Sequence, residues 1–359
     1  MAAQRRSTLE GMNRPMRTHD SFDITNLWPD YRPSRLVELP DIALLVGVDR
    51  VFVKDESERP LGNFKVLGGM VAGLQALARA AGIAMGELER LRDVALPRLI
   101  CASDGNHGLA VTAAAQRAGS GATIYLANGV NPVRAAKIEA LGGQIVWIDG
   151  TYDAAVDAAA AAAARGDGLL ISDTVPDPND RVVRDVMAGY ALITRELVDQ
   201  FRNEAKTRPS HMFIQAGVGG LAAAMADGLH EHMSPPGKLL VVEPESAGCV
   251  GRGLAEGQPT LVVGDLHTSA EMLACGLASA PALEILLRHE AQSVLVGEEH
   301  LAMAVRILRD AGGPATTPSG ACGLAGLLHV AVQPELRAAY GLNLDSKVLL
   351  VATEGPVAG

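Results

Sequence analysis

The sequence predicts an α/β protein of two domains, each built on a parallel sheet. Three observations carry this. The chain has 359 residues, too many for one small core and enough for about two domains. From Leu36 onward, short β-branched runs alternate with longer helical stretches, the pattern of parallel sheets covered on both faces. Hydrophobic residues make up 48% and charged residues 20%, which is the composition of a folded globular chain. No period of roughly 20–50 residues recurs, which excludes a solenoid.

The elements follow in order. Residues 1–30 are polar and irregular and read as an arm. Val51-Phe52-Val53 is a strand and Phe64 to Ala81 a helix rich in Ala, Gly and Leu. The charged segment 82–97 reads as a surface bridge. Arg98 to Ala102 is a strand, Gly108 to Ala118 a helix, Ala122 to Leu126 a strand, Val133 to Leu141 a helix and Gln144 to Ile148 a strand. Asp153 to Arg165 is saturated with Ala, the strongest helix former. Leu169 to Ser172 is a strand, and Pro176 to Asp180 a loop by its turn chemistry. Val182 to Ala205 is helical. Met212 to Gln215 and Leu239 to Glu243 are strands flanking a helix, and Lys347 to Ala352 is the last strand.

Composition also excludes functions. A net charge of -10 repels phosphate backbones, so nucleic acid is not an expected partner. Cys101, Cys249, Cys275 and Cys322 form no Cys-x-x-Cys pair, which argues against a disulfide framework and a structural zinc; no metal is expected. Arg5 and Arg6 are followed by no apolar stretch, so no secretory signal is read. The purest apolar run, Ala158 to Ala164, is far short of the ~20 residues of a membrane helix. The expectation is a cytoplasmic protein without a membrane partner.

Three segments carry chemistry. Gln215-Ala216-Gly217-Val218-Gly219-Gly220-Leu221-Ala222 follows a strand and opens an Ala-rich helix. Its glycines let several N–H groups point at one anion, beside the positive end of the helix, and a phosphate is the natural occupant. The same stretch fits the dinucleotide form G-x-G-x-x-A, with Glu243 near the offset of a ribose-binding acid; a nicotinamide oxidoreductase is therefore an open alternative, as is a plain strand–helix turn. Lys65 sits in the first turn of its helix, among Phe64, Val66, Leu67 and Gly68. The helix dipole and partial burial both disfavour its charge there, which suits an amine that attacks an aldehyde; the bland alternative is a snorkelling surface lysine. Cys101 to Gly108 turns sharply from a strand into a helix. Its backbone N–H groups suit a carboxylate, Asn106 offers an amide donor and Asp104 a carboxylate; the alternative is an ordinary capped turn.

Together these segments resemble the fold-type II (tryptophan synthase β-like) pyridoxal-phosphate enzymes. Phe64-Lys65 is similar to that family's Schiff-base lysine motif, Asp104-Gly105-Asn106-His107-Gly108 to its asparagine loop, and Gly217 to Leu221 to its phosphate loop. A closer resemblance, from about Trp28 to the C-terminus, is to the diaminopropionate ammonia-lyase branch. It rests on Val53 to Ser57, Lys65 to Gly69, Asp104 before Gly105, Asp173-Thr174, Met187 to Tyr190, Met272 to Leu277 and Thr353-Glu354-Gly355. The chain departs from the branch at Val175 to Asp180, Asn63 and Leu109.

The resemblance implies two open α/β domains with the cofactor in the cleft between them: a small inserted domain over roughly 75–185, and a large domain from 1–74 and 186–359. It implies pyridoxal 5'-phosphate on Lys65, its phosphate on Gly217, Val218, Gly219, Gly220 and Leu221, its ring beside Phe64 and Ser319-Gly320-Ala321, its hydroxyl met by Asn106 and its ring nitrogen by Thr353. Substrate carboxylate meets backbone at Ser103, Asp104, Gly105 and Asn106. Lys65 and Asp104 serve as bases for L- and D-isomers. Asp173 recognises or protonates a β-amino leaving group, the alternative being a strand-end cap. His107 is a packed loop residue. The implied reaction is β-elimination from 2,3-diaminopropionate or a close β-substituted alanine to pyruvate and ammonia, with serine, threonine or hydroxyaspartate dehydration as the alternative. A homodimer is usual in the family.

Overall fold

The computed structural model describes residues 22–103 and 105–356. Asp104 and most of the expected N-terminal arm lie outside them. Two sheets organise these residues. The larger runs β1 (Leu36–Glu38), β2 (Arg50–Asp55), β10 (Lys347–Ala352), β7 (His211–Gln215), β8 (Lys238–Pro244) and β9 (Gln292–Val296). The smaller runs β5 (Gln144–Ile148), β4 (Ala122–Ala127), β3 (Leu99–Ala102) and β6 (Leu169–Leu170). All pairings are parallel except β1 with β2. An antiparallel edge strand on a parallel sheet is common, since only the inner strands need crossover helices.

The helices are α1 (Pro40–Val46), α2 (Lys65–Ala81), α3 (Asn106–Ala118), α4 (Pro132–Ala140), α5 (Tyr152–Ala164), α6 (Arg181–Gln200), α7 (Gly220–Leu229), α8 (Cys249–Glu256), α9 (Ala280–Arg288), α10 (Glu298–Asp310), α11 (Pro318–Ala331) and α12 (Pro334–Tyr340). Strand side chains alternate between faces. Phe52, Met212, Ile214, Val241, Leu349 and Val351 pack into a core shared with α2, α6, α7 and α9. Val51, Val53, Phe213, Leu240, Val348 and Leu350 face α1, α10 and α11.

The first core continues into the small sheet through Leu99, Cys101, Ile124 and Leu126, and α2 with α3 makes the bridge. Small residues allow their close crossing: a Cβ on Gly69 would lie 2.6 Å from Ala110 Cβ, and one on Gly73 2.7 Å from Ala114 Cβ. The far face of the small sheet is closed by α5, where Ala155, Ala159 and Ala162 share one helix face against Ile100 and Ala102.

Differences from the sequence reading have physical causes. The strand expected over Leu169 to Ser172 is regular only over Leu169–Leu170; Ile171 N still donates to Ile100 O at 2.7 Å, and then Ser172 Oγ turns to the Thr174 carbonyl. The long helix stops at Gln200 and continues as one wide turn, Phe201–Ala205. The bridge over 82–97 contains a 3-10 segment, Met85–Asp93, that buries Met85 and Leu91. Part of the expected arm is a 3-10 turn, Ile24–Leu27, with both end residues buried.

Candidate active site

The residues singled out in the sequence emerge from the carboxyl ends of parallel strands, where such folds place ligands. Lys65 follows β2, Ser103 to His107 follow β3, Asp173 follows β6, Gly217 follows β7 and Thr353 follows β10. The two sheets turn these ends toward one cleft. It is lined by Phe64, Lys65, Ser103, Asn106, Asp173, Gly217 to Leu221 and Thr353, and also by His107, Tyr152, Tyr190 and Glu354. Gly105 lies one step away, in an adjoining hollow with Arg134.

Lys65 is placed by the backbone on both sides of it. Phe64 N donates to Thr353 O at 3.0 Å and Gly355 N to Gly62 O at 2.9 Å, which tie the start of α2 to the end of β10. Below this, buried Lys54 on β2 donates to Glu196 on α6 at 2.6 Å and to Gln200 at 2.8 Å. Arg59 bridges Glu56 and Glu196 at 2.7 Å each. The charges are desolvated but mutually paired, so the loop leading to Lys65 is held firmly.

The Lys65 ammonium pairs directly with Asp173, whose other oxygen accepts from Tyr152 Oη at 3.1 Å. The sequence predicts a depressed lysine pKa; the direction is the opposite. Burial does oppose the charge, but the Asp173 carboxylate outweighs it and holds Lys65 above the ordinary lysine range. Asp173 likewise resists protonation: its burial favours the neutral acid, yet Lys65 keeps it well below the usual carboxylate range. Asp173 is therefore not merely a strand-end cap. His107 is packed, with Nε2 donating to the Ile171 carbonyl at 2.9 Å, and burial lowers its pKa.

The asparagine loop differs from expectation in one respect. Ser103 and Gly105 were expected to turn their N–H groups to a substrate carboxylate. Ser103 N donates to the Tyr125 carbonyl, and Gly105 N and Gly108 N donate to Ser103 Oγ at 2.9 and 2.8 Å. Those amides shape the loop itself. Asn106 opens α3, where first-turn N–H groups lack an intrahelical acceptor. Its side chain is held at both ends: Nδ2 donates to the Glu354 carboxylate and Oδ1 accepts from Arg134 Nη1 at 3.0 Å. Arg134 also reaches Glu354 at 3.2 Å. Its stem crosses Gly105, where a Cβ would lie 2.7 Å from Arg134 Cδ and φ is +132°; only glycine fits.

At the glycine loop, Gly219 has φ +97° and α7 begins at Gly220. The carbonyls of Gly217 and Val218 accept from Cys249 Sγ and Ser279 N. A Cβ on Gly220 would make ordinary contact, 3.8 Å from Met187 Cγ and from Tyr190 Cε2, and Gly217 to Leu221 line the cleft. Thr353 Oγ1 accepts from Gln215 Nε2 at 3.2 Å, and Thr353 lines the cleft. Glu243 does not serve a dinucleotide. It is fully buried and accepts from Val250 N and Gly251 N at 2.7 Å each, capping α8. Burial pushes its carboxyl up to about 7.

The sequence reading missed Arg134, Glu354, Tyr152, Gln215 and Tyr190 as site residues. Glu354 and Tyr190 stood inside quoted motifs, and Gln215 began another. Arg134 carried no local signal.

The model of the pyridoxal-phosphate dependent enzyme family matches residues 27–354. Diaminopropionate ammonia-lyase of Escherichia coli strain K12 is 34% identical over 338 residues, covering 90% of this chain and 85% of the relative. The chain belongs to the pyridoxal-phosphate dependent enzyme family, in its diaminopropionate ammonia-lyase branch. Two crystal structures of the Escherichia coli lyase are similar throughout. The holo form gives a TM-score of 0.84 at 31% identity, over 93% of this chain and 87% of that one. The complex with D-serine gives 0.83 at 30% identity, with the same coverage.

The residues of this pyridoxal-phosphate enzyme fit the cofactor. The glycine loop that lines the cleft and the first N–H groups of α7, which lack an intrahelical acceptor, suit a phosphate. The Lys65 amine and the Thr353 hydroxyl line the same cleft, as an aldehyde and a ring nitrogen require.

Proposed function

We propose that the protein catalyses β-elimination from 2,3-diaminopropionate, or a close β-substituted alanine, to pyruvate and ammonia. The observation that carries this is the Asp173 carboxylate against the Lys65 amine, with Tyr152 on its second oxygen. The bound cofactor supplies an electron sink conjugated with Cα, which acidifies the Cα–H bond. Gly217 to Leu221 would hold its phosphate, Asn106 its ring hydroxyl, Thr353 its ring nitrogen and Lys65 its aldehyde carbon.

The protein's own groups do the rest. Lys65 must be neutral to take the Cα proton, and Asp173 holds it charged. A β-ammonium substituent competes for the same carboxylate. With Asp173 engaged by that substituent, Lys65 would lack the counter-charge that favours its ammonium form, and burial would keep the amine, once released from the cofactor, neutral and ready for the Cα proton. Asp173 then stands beside the leaving nitrogen, and Tyr152 keeps the carboxylate oriented. A β-hydroxyl cannot make this exchange, which favours an amine over a dehydratase substrate. Thr353 is neutral, and with Gln215 Nε2 donating to one of its two lone pairs its hydroxyl hydrogen would be available to donate to the ring nitrogen. A donor there partners an unprotonated ring nitrogen and a weak sink, which favours prompt loss of a β-leaving group. Asp104 is assigned, by the resemblance, as base for the D-isomer.

We read the protein as a cytoplasmic homodimer acting on a small amino acid, without nucleic acid. The acidic charge and four free, buried cysteines support this reading. Among the described residues no single helix is long and apolar enough to cross a membrane. A panel of β-substituted alanines, both enantiomers, scored for pyruvate tests the function. Diaminopropionate should exceed serine in kcat/KM by about a hundredfold or more; release from serine or threonine alone would overturn the proposal.

A further inference from the structure

Tyr190 lies on the buried face of α6, 2% exposed, and lines the cleft. Among the described residues its hydroxyl has no hydrogen-bond partner. A buried donor left unsatisfied is costly, so its placement calls for an occupant.

The placement is built rather than incidental. A Cβ on Gly189 would lie 2.4 Å from the Leu67 carbonyl oxygen, so α6 presses against α2 at this point. A Cβ on Gly68 would lie 2.5 Å from Tyr190 Cε1 and 2.7 Å from Cζ. Gly68 thus clears a slot for the ring one turn beyond Lys65, and Gly189 lets the two helix backbones meet there. Phe64 packs on the ring at a centroid distance of 4.9 Å. The opposite edge faces the glycine loop, with Cε2 3.8 Å from where a Gly220 Cβ would stand. The ring therefore spans from the lysine helix to the first residue of α7.

The chemistry of the wall selects the occupant. The α7 start is positive and rich in N–H groups, so it takes an anion. Burial holds the Tyr190 phenol well above its ordinary pKa, so it remains a neutral donor. The Asp173 carboxylate is engaged, since it already pairs with Lys65 and accepts from Tyr152. What fits is an anion with several acceptor oxygens.

We infer that Tyr190 Oη donates a hydrogen bond to the phosphate of bound pyridoxal phosphate, completing a cradle whose other members are the Gly217 to Leu221 amides. The inference rests on the cofactor assignment and adds to it a side-chain ligand from α6.

The test compares two cofactors on two proteins. Apoprotein, wild type and Tyr190→Phe, is titrated by equilibrium dialysis with pyridoxal phosphate and with pyridoxal, which lacks the phosphate. Phenylalanine keeps the ring between Gly68 and Phe64, so the apoprotein's melting temperature should be unchanged or slightly higher. The variant's Kd for pyridoxal phosphate should rise about tenfold or more, as for a lost hydrogen bond to a charged group. Its Kd for pyridoxal should stay within about twofold, and inorganic phosphate should compete less well for the variant. An equal change for both cofactors would place the hydroxyl elsewhere and overturn the inference, as would no change for either. Failure of the wild type to bind pyridoxal phosphate would instead overturn the cofactor assignment itself.

Discussion

Replacing Asp173 with Asn keeps the shape of the side chain and its contact with Tyr152 but removes the charge that Lys65 pairs with. Two unit charges about 4 Å apart at an effective dielectric near 20 interact by about 4 kcal/mol, or about three pKa units. Lys65 now stands above the ordinary lysine value because this attraction exceeds the burial penalty. With the attraction gone, only the penalty remains, and the Lys65 pKa falls below that value. The same loss removes the partner of a β-ammonium substrate. For diaminopropionate, kcat/KM should fall by about a thousandfold, the equivalent of that energy. For serine, whose β-hydroxyl has no charge to pair, the fall should be within about tenfold. The acidic limb of kcat with serine should also move to lower pH, since that limb reports ionisation in the substrate complex. Pyruvate release across pH for both substrates measures all three quantities. Equal losses on the two substrates, with the limb unmoved, would refute the exchange of Asp173 between lysine and leaving group.

Glu354→Gln should leave buried Arg134 without its counter-charge, costing about 3 kcal/mol by the usual effect of breaking a buried pair. A urea midpoint reads this, and cofactor affinity should fall with it as Asn106 loses its anchor. Burial lifts the Glu243 carboxyl from its ordinary 4.5 to about 7. The folded state binds this proton more tightly, so the stabilisation is complete below pH 4.5 and lost as pH rises through about 7. Glu243→Gln lacks that loss. Its stability relative to wild type should therefore improve by ~3 kcal/mol between pH 4.5 and 8; urea unfolding across that range checks the sign. Asp104→Asn should depress pyruvate release from D-diaminopropionate by more than about a hundredfold while costing the L-isomer less than about tenfold, as removal of one of two bases requires.

The parts of the fold that were legible are those that local chemistry dictates. The inner strands are runs of Val, Ile and Leu, and the Ala-rich α5 could be little else. The edge strands β1 and β9 were missed: each pairs on one side only and carries exposed residues such as Glu38 and Leu295, and neither has the Ile-Val-Trp-Ile run that made the edge strand β5 legible. Their pairing depends on a neighbour rather than on their own sequence. The same division runs through the site. Lys65, Asn106 and the glycine loop sit on short motifs whose geometry follows from glycine and a helix start. The Asn106 anchors lie 28 and 248 residues away in sequence, so only the folded chain brings them together. The Lys65 charge was misjudged for the same reason: helix dipole and burial are local, whereas Asp173 arrives from the other sheet, 108 residues on. Tyr190 stands in the Met187 to Tyr190 segment that carries the branch resemblance, with no role assigned to it there; its bare hydroxyl is visible only in place.

The central claim is that this pyridoxal-phosphate enzyme works through Lys65, and trapping the linkage tests it most directly. Borohydride reduction of the holoenzyme, followed by peptide mapping, should abolish the visible band and place a phosphopyridoxyl label on Lys65 alone. A label on another lysine, or a reduced protein carrying none, would contradict it.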